Sequence, residues 1–375
     1  MRLPDLPEDA VPELTDLLAP VAQLDLAPAA TPAHPLHTCY VPADRMRPGE
    51  HLRWGEEALA LLDSCAPDEE ALAAAVGRPL PPGTYARVRE LLAVAPVQDL
   101  RVDLEDGYGV RPDDEEDAAV EAAVAALAEA PPPSFGLRVK SLEPATMHRA
   151  LRTLEGWTAA LAGAALPAGI VTLPKAQDPR QVEVAVAVLG ELERRTGLRP
   201  ALELQVETAL GVVDRSGATT VAGLLAAGQG TVTGIHFGTY DFTASLGIAP
   251  QEQALDNPVA DAAKDLLQLV AATHGVPVSD GSTNLLPVGD AGQVRGVWAE
   301  HTRLVERGLR RGLWQGWDMH PGHLVSRWTA CTAFFLARLP EVRERLAGGR
   351  AGVADEPATV RMLEAFDRRA RSLGL

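Results

Sequence analysis

The sequence predicts a (β/α)8 barrel with an N-terminal extension and an insertion after the first strand. Three observations favour this class. Short apolar runs typical of buried parallel strands alternate with helical segments along the chain. The hydrophobic fraction of 46% is mostly Ala, Leu and Val with only 4% aromatics, which suits helices packed on a parallel sheet. No glycine-rich nucleotide fingerprint follows any strand, which argues against a dinucleotide-binding sheet.

The strands are predicted from runs of Val, Ile, Leu and Phe that end in polar or turn residues. In chain order they are 37–41, 99–104, 135–139, 169–173, 202–206, 234–237, 276–278 and 312–316. The helices are predicted from apolar residues at helical spacing, and several begin with acids or proline. They are 54–62, 113–128, 144–161, 179–196, an alanine-rich segment after the fifth strand, 256–273, 289–308 and 324–339.

These elements divide the chain into three parts. Residues 1–36 are predicted to be a helical extension and linker, and residues 341–375 a C-terminal helical segment. The barrel fills 37–340, with an insertion over about 64–96 that contains a helix at 85–93.

Composition limits the partners and the compartment. The net charge is −17, with 51 acidic against 34 basic residues, so we expect neither a nucleic-acid nor an anionic-membrane partner. The three cysteines have no metal-binding or disulfide spacing. No signal peptide begins the chain and no run approaches about 18 apolar residues. We therefore expect a cytoplasmic protein.

Polar side chains follow the predicted strands, and in a barrel the C-terminal ends of the strands surround one mouth. These residues are Arg45, Glu105, Asp106, Arg138, Lys140, Lys175, Glu207, Asp241, Asp280 and His320. Glu207 and Asp241 end the neighbouring fifth and sixth strands, so both could hold one Mg²⁺, or Mn²⁺ as the alternative. The other interpretation is that Glu207 is a first-turn acid and Asp241 a turn residue.

Four further residues at the mouth have predicted roles. Arg138 offers a forked donor for a substrate carboxylate. Glu105 and Asp106 are expected to organise water and neighbouring bases, or else to be helix-start acids. Lys175 follows a proline, so we expect an extended backbone with the amine at the mouth, or an ion pair with one of the acids.

Eight motifs occur together in one order. They are VPADR at 41–45, DLEDGYG at 103–109, RVK at 138–140, LPK at 173–175, VETALG at 206–211, GTYDFTASLG at 238–247, SDG at 279–281 and MHPGH at 319–323. In this order and spacing the chain resembles the HpcH/HpaI aldolase/citrate lyase family, most of all its citrate-lyase-β-like branch. The GTYD turn is also similar to malate synthase.

The resemblance implies a TIM barrel, homotrimers or larger assemblies such as hexamers, and Mg²⁺-dependent carbon–carbon cleavage or formation. The reaction would pass through a metal-stabilised enolate of a pyruvate-like 2-keto acid or of an acyl-coenzyme A thioester. Glu207 and Asp241 would be the metal ligands and Arg138 a substrate-carboxylate contact. With Arg138, we predict catalytic roles for Glu105, Asp106 and Lys175. Further substrate contacts are predicted at Gly238, Thr239, Asp280 and His320.

Two other hypotheses stay open. The first is a Schiff-base aldolase with Lys175 or Lys140 as nucleophile, although nearby carboxylates raise the pKa of a lysine and oppose it. The second is a non-catalytic barrel that binds a metabolite or forms one subunit of a larger lyase complex. His320 before Pro321 has a structural alternative as well, as a cap for the last barrel helix.

Overall fold

The protein is described by a computed structural model over residues 32–348 and 354–375. Its centre is a sheet of eight strands in the order β7-β6-β5-β4-β3-β2-β1-β8, and every pair is parallel. The strands are β1 (His37–Pro42), β2 (Leu100–Asp103), β3 (Phe135–Arg138), β4 (Ile170–Leu173), β5 (Ala201–Val206), β6 (Val232–Phe237), β7 (Val278–Ser279) and β8 (Gly316–Asp318).

The sheet closes on itself between β7 and β8. A parallel bridge joins Ser279 to Gln315, and the Asp280 N–H donates to the Gln315 carbonyl at 2.8 Å. Helices follow the strands around the outside. The predicted (β/α)8 barrel is therefore confirmed.

Fourteen helices lie within the described part of the chain. Those up to β6 are α1 (Glu50–Cys65), α2 (Glu69–Ala75), α3 (Thr84–Val94), α4 (Asp113–Glu129), α5 (Met147–Gly163), α6 (Pro179–Thr196), α7 (Ala209–Val212) and α8 (Thr220–Ala227). The others are α9 (Thr239–Ser245), α10 (Pro258–Thr273), α11 (Ala291–Arg310), α12 (His323–Leu336), α13 (Leu339–Gly348) and α14 (Pro357–Ser372). Short 3-10 turns cover Ala43–Arg45 and Pro250–Glu252.

Local chemistry explains why α6 has the predicted bounds. The Asp178 side chain accepts from the Arg180 N–H, Gln181 completes a capping box, and Pro179 occupies the first turn. At the other end Gly197 adopts φ +75°, a left-handed conformation that stops the helix.

The predicted position of the eighth strand, 312–316, is wrong, because the chain there is still leaving α11. Gly312 has φ +82°, and the Leu313 N–H donates back to the Gly308 carbonyl at 2.9 Å. The strand consequently begins at Gly316 and ends at Asp318.

The insertion at 64–96 contains the predicted helix as α3 and an additional helix, α2, that the sequence analysis did not predict. It packs against the barrel's last helix, where the Trp328 indole N–H donates to the Pro96 carbonyl at 2.9 Å. The C-terminal segment forms α13 and α14, and Phe366 of α14 packs on Phe335 with ring centroids 4.7 Å apart. The helix predicted within 1–36 lies outside the described residues.

The two faces of the sheet differ in polarity. Val102, Leu137 and Leu202 face the helices and are buried, forming part of the apolar core. The opposite face fills the barrel interior with charged side chains. There the Arg101 guanidinium donates to Glu203 at 2.8 Å, and Glu203 lies 3.2 Å from the His236 imidazole. Because side chains alternate along a strand, this polar face leads directly up to the mouth.

The structure can be compared with two expectations drawn from composition, on the cysteines and on membrane-spanning segments. Cys39, Cys65 and Cys331 are all buried and free. None of the helices built from residues 32–348 and 354–375 combines the length and the apolar character needed to cross a bilayer.

Candidate metal and substrate site

The mouth of the barrel carries a cluster of acids around one lysine. Inward positions of β2 and β5 continue past the strand ends, so that Glu105 extends the series of Asp103 and Glu207 extends the series of Gln205. The structure brings together five predicted residues, Glu105, Asp106, Lys175, Glu207 and Asp241, and places Arg138 beside them. We call the four carboxylates of this group the acid cluster.

Glu207 is the most deeply buried member of the acid cluster, with 2% of its surface exposed. One carboxylate oxygen accepts from the backbone N–H of Lys175 at 2.8 Å, and the other accepts from the Gln205 amide. Gly238 leaves room for this carboxylate, because a Cβ there would lie 2.4 Å from Glu207 Oε2. Burial, with the charge of Glu105 added, raises the pKa of Glu207 to about 8.

Lys175 connects the cluster. Its ammonium pairs with Glu105 and lies 3.3 Å from Asp241 Oδ2 and 3.7 Å from Asp106 Oδ1. Although burial favours the neutral amine, the charge of Glu105 raises the pKa of Lys175 well above its usual range. The expectation of an extended backbone at Lys175 is wrong, since its φ is +50°. A proline restricts the residue before it and not the one after, so the preceding proline does not hold Lys175 extended.

Glu105 and Asp106 have different environments. Glu105 is buried between Lys175 and Arg138, whose Nη1 lies 3.5 Å from it, whereas 63% of the Asp106 side chain is exposed. Burial raises the pKa of Glu105, and the negative charge of Asp106 raises it further. The positive charges of Arg138 and Lys175 act in the opposite direction. Glu105 is therefore the acid of the two that is buried against both cations.

Arg138 is a buried side chain with most of its donors engaged. Its Nε and Nη2 donate to the two oxygens of Asp103 at 2.7 and 2.6 Å, and its guanidinium lies over the Tyr40 ring, 4.7 Å from the centroid. The remaining nitrogen, Nη1, faces Gln205 Oε1 at 3.4 Å. The fork that the sequence analysis assigned to a substrate carboxylate is thus bound to Asp103, and Nη1 is the nitrogen that faces the mouth.

Asp241 provides the observation that tests whether a metal ion fits. It lies in the first turn of α9, and although 41% of its side chain is exposed, Oδ2 itself is buried. Among residues 32–348 and 354–375 this oxygen accepts no hydrogen bond, although the Lys175 ammonium lies 3.3 Å away as an ion pair. A buried carboxylate oxygen that accepts no hydrogen bond, near the Glu207 carboxylate with its raised pKa, fits a hard cation bound by one or two protein carboxylates.

Gly238 and Thr239 form the turn that leads into α9. Thr239 is buried, and its hydroxyl finds no partner within the described residues. It lies against Gly281 at the end of β7, where an added Cβ would be 2.6 Å from the Thr239 Oγ1. This hydroxyl is a buried polar group without a hydrogen-bond partner in the described chain.

Two charged residues of the predicted mouth point elsewhere. The Asp280 carboxylate accepts from Lys264 of α10 at 2.9 Å and from the Gly281 N–H at 2.9 Å. Lys140 pairs with Glu116 of α4 at 2.6 Å. Both ion pairs lie between the sheet and the helices, so the structure does not bring Asp280 or Lys140 into the acid cluster.

His320 lies in the turn before α12. Its Nδ1 accepts from the Gly322 N–H at 3.0 Å, which is the capping arrangement given as its alternative role. Its ring neighbours His323, with centroids 6.1 Å apart, and burial lowers the pKa of His320. No contact in the described part of the chain joins His320 to the acid cluster.

A second group of side chains that could bind a metal is buried at β1 and β8. His37, Cys39 and Asp318 have such atoms within 4.8 Å of one another. Asp318 is already held by His37 at 2.9 Å and by Arg327 at 3.0 Å. Because a permanent cation occupies the carboxylate and burial raises the pKa of Cys39, this group is a buried ion-pair network and not a metal site.

Asp103, Gln205 and Tyr40 contact the site residues but were not predicted from the sequence. Asp103 and Gln205 each stand two positions before a predicted acid, so the period of two along β2 and β5 places them on the same face. That spacing was an available signal. Tyr40 had none, because its contact with Arg138 joins strands that are not neighbours.

The chain is similar in structure to known lyases and synthases. A citrate lyase from Burkholderia xenovorans LB400 matches with a TM-score of 0.58 and 19% identity, over 94% of this chain and 95% of that one. A malate synthase of Haloferax volcanii in a magnesium and glyoxylate complex matches with 0.52 and 15%, over 79% and 75%. The same enzyme with pyruvate and acetyl-CoA matches with 0.50 and 15%, over 90% and 81%. At these identities the likeness shows a shared fold.

No curated protein matches the chain. A family model described as a domain of unknown function, DUF6986, matches residues 23–374. Because the match spans nearly the whole sequence, the chain belongs to the DUF6986 family.

Proposed function

We propose that the protein is a Mg²⁺-dependent carbon–carbon lyase of the HpcH/HpaI aldolase/citrate lyase type. Its substrate would be a pyruvate-like 2-keto acid or an acyl-coenzyme A thioester. The observation that supports this most is the pair of candidate ligands. Asp241 Oδ2 is buried and accepts no hydrogen bond within the described residues, its close polar contact being the Lys175 ammonium at 3.3 Å, and Glu207 in the same acid cluster has a pKa raised to about 8.

The charge balance of the mouth favours a divalent cation. Four carboxylates meet one ammonium, that of Lys175, and one guanidinium nitrogen of Arg138. Glu207 and Asp241 would hold Mg²⁺, or Mn²⁺ as the alternative, with its other positions left for water and substrate oxygens. Bound there, the cation would stabilise the negative charge that develops on a carbonyl oxygen.

The protein's own groups have separate roles in this proposal. Arg138 would donate from Nη1 to the substrate carboxylate, since Asp103 holds its other edge. The Thr239 hydroxyl, which has no partner within the described residues, is a further donor. Glu105 would carry the proton, because it is buried and its pKa is raised.

In the cleavage direction the atoms balance without an oxidant. The base takes the hydroxyl proton of the substrate, and that carbon becomes a carbonyl as the carbon–carbon bond breaks. The electron pair of the bond passes to the carbon next to the retained carbonyl group, giving an enolate. The same proton, or one from water, then returns to that carbon. Condensation is the reverse sequence.

A cleft beside the mouth offers room for a larger acyl portion. It measures about 980 Å³ and is lined by residues that follow β3, β4 and β5. Gln177 lies two residues after Lys175, and it accepts at 3.1 Å from the Thr208 hydroxyl, next to Glu207. The lining holds Arg180 and Arg215 together with the acids Glu143, Asp178 and Asp214. Arg180 pairs with Asp178 at 2.6 Å, so the support for a larger ligand is the size and position of the cleft and not its charge. These features favour testing an acyl-coenzyme A thioester alongside free keto acids.

The structural comparisons support the same reaction class. The similar malate synthase was solved with magnesium and glyoxylate and, separately, with pyruvate and acetyl-CoA. The motifs at 206–211 and 238–247, which resemble the family's metal site, contain Glu207 and Asp241. We also propose a homo-oligomer, a trimer or hexamer, in the cytoplasm; light scattering on the purified protein tests the assembly.

The Schiff-base alternative is less favoured by the contacts of Lys175. Its ion pair with Glu105 raises the pKa of the amine, and a nucleophilic amine must be neutral. Lys140 is held by Glu116 away from the mouth. A non-catalytic barrel would need neither Glu105 nor Arg138, and only an activity assay separates it from the lyase.

The test is a panel of 2-keto acids, 3-hydroxy acids and acyl-coenzyme A thioesters, incubated with Mg²⁺ and then with excess chelator. We expect turnover of at least one compound with Mg²⁺, its loss on chelation, and its return when Mg²⁺ is added again. Turnover that chelation leaves unchanged would contradict the proposal. So would the absence of turnover with every compound, in a protein shown to bind Mg²⁺.

A further inference from the structure

Lys175 contacts both candidate metal ligands, and it does so with two different groups. The side-chain ammonium lies 3.3 Å from Asp241 Oδ2, a buried oxygen that accepts no hydrogen bond from the described chain, so the contact is an ion pair. The backbone N–H donates to Glu207 Oε1 at 2.8 Å. One residue thus fixes the orientation of one ligand and neutralises the other.

The backbone of Lys175 adopts an uncommon conformation to make these contacts. Its φ of +50° lies in the left-handed region, which non-glycine residues rarely occupy. The hydrogen bond to Glu207 and the ion pair with Glu105 both hold it there. The backbone of Lys175 is therefore a fixed part of the site, and only its side chain is free to change partners.

We propose that Lys175 is a tethered counter-cation that competes with the divalent ion for Asp241 and so sets the metal affinity of the site. This inference rests on the metal site of the proposed function. A divalent ion on Asp241 and an ammonium 3.3 Å from the same carboxylate repel each other, so one must withdraw. Glu105 already pairs with the ammonium and would retain it when it leaves Asp241.

The arrangement has a consequence for metal exchange. When the ion leaves, Lys175 can restore the charge balance of Asp241 without water or salt having to enter. The metal affinity is lower as a result, because the ion must displace the Lys175 ammonium from Asp241. Lys175 therefore acts on the metal through the two ligands, as a positioning residue, and this role does not require contact with the substrate.

The experiment measures metal binding directly, without substrate. The dissociation constant for Mn²⁺ is determined by electron paramagnetic resonance, and that for Mg²⁺ by calorimetry, at low salt. Lys175→Met should tighten Mn²⁺ binding by about tenfold or more, because the competing charge is gone. Lys175→Arg should return the affinity towards that of the parent protein. Arg194→Met, an exposed cation on α6, is the matched control and should change nothing.

A second variant acts in the opposite direction and does not depend on the folding of Lys175→Met. Glu105→Gln removes the partner that retains the ammonium, so Lys175 should stay nearer Asp241 and Mn²⁺ binding should weaken. In the Lys175→Met background the same change should have little effect, which distinguishes competition from direct ligation by Glu105.

Unchanged or weaker Mn²⁺ binding in folded Lys175→Met would overturn the inference. So would unchanged Mn²⁺ affinity in Glu105→Gln. A protein that shows these affinity changes but turns over no substrate would contradict the proposed lyase and leave the competition standing, so the two failures are distinguishable.

Discussion

The backbone N–H of Lys175 donates to the carboxylate of Glu207 at 2.8 Å, joining the end of β4 to the end of β5. The hydrogen bond uses the main chain, so it survives any change of the lysine side chain. Together with the Gln205 amide on the other oxygen, it holds the Glu207 carboxylate in one orientation. A candidate metal ligand is therefore oriented by the barrel wall itself.

Removing charge from either candidate ligand should abolish tight metal binding. Glu207→Gln and Asp241→Asn keep the shape of the side chain and remove the anion that a hard cation requires. We expect each to weaken Mn²⁺ binding by roughly a hundredfold, measured by electron paramagnetic resonance. Glu155→Gln, an exposed carboxylate on α5, is the control and should bind as the parent does. Parent-like affinity in either ligand variant would remove that residue from the metal site.

Stability in chelator should fall as the pH rises towards 8. The pKa of Glu207 is raised from 4.5 to about 8 in the folded protein, so between these values the folded state retains a proton that the unfolded state has released. By linkage, the free energy of unfolding therefore falls as the pH rises. The stabilisation that comes from the retained proton of Glu207 is fully present below pH 4.5 and is lost as the pH passes about 8. The full change is about 5 kcal/mol.

Thermal melts in chelator at a series of pH values measure this dependence. Glu207→Gln cannot ionise, so its melting temperature should vary less between pH 5 and 8 than that of the parent protein. Added Mg²⁺ should remove much of the loss at pH 8, because the ion binds the charged carboxylate. Identical pH profiles for parent and variant would show that Glu207 titrates normally.

The fold could be predicted because its boundaries depend on local chemistry. Asp178, Pro179 and Gly197 mark the ends of α6 in the sequence itself. The eighth strand could not be placed in this way. Gly312 and Leu313 look like the start of a strand, yet they complete the C-terminal turn of α11, and only the packed helix shows this.

Side-chain direction limited the prediction of the site. Ser279 pairs with His236 and Gln315, so Asp280, the next residue, turns outward to Lys264. The same alternation would point Lys140 inward, but β3 ends at Arg138 and the alternation ends with it. Position at a strand end thus identified the acid cluster correctly as a group, while single members depended on where each strand stops.

Replacing Arg138 by lysine should damage both stability and activity. Lysine keeps the charge but cannot make the two parallel hydrogen bonds to Asp103 or present Nη1 to the mouth. We expect a loss of about 2 to 4 kcal/mol in urea denaturation. Below its melting temperature the folded variant should show a raised KM for a substrate with a carboxylate. Parent-like stability with a raised KM would assign Arg138 to substrate alone.

Asp280 should behave as a structural residue. It pairs with the buried Lys264 at 2.9 Å, so Asp280→Asn leaves that ammonium with the more distant Asp261 carboxylate, at 3.4 Å, and should cost up to about 3 kcal/mol of stability. Its Mn²⁺ affinity should equal that of the parent protein, because the carboxylate points away from the acid cluster. A loss of affinity as large as that of Glu207→Gln would show that Asp280 reaches the metal.

The most direct test of the proposed chemistry is enolate formation itself, which needs no knowledge of the natural substrate. Pyruvate and acetyl-coenzyme A are incubated with the protein in D₂O, and the methyl protons are followed by proton NMR. We predict that at least one methyl signal exchanges for deuterium with Mg²⁺, that chelator stops the exchange, and that Glu207→Gln lacks it. Exchange that persists in chelator, together with borohydride trapping of pyruvate on Lys175, would contradict the account and establish the imine mechanism.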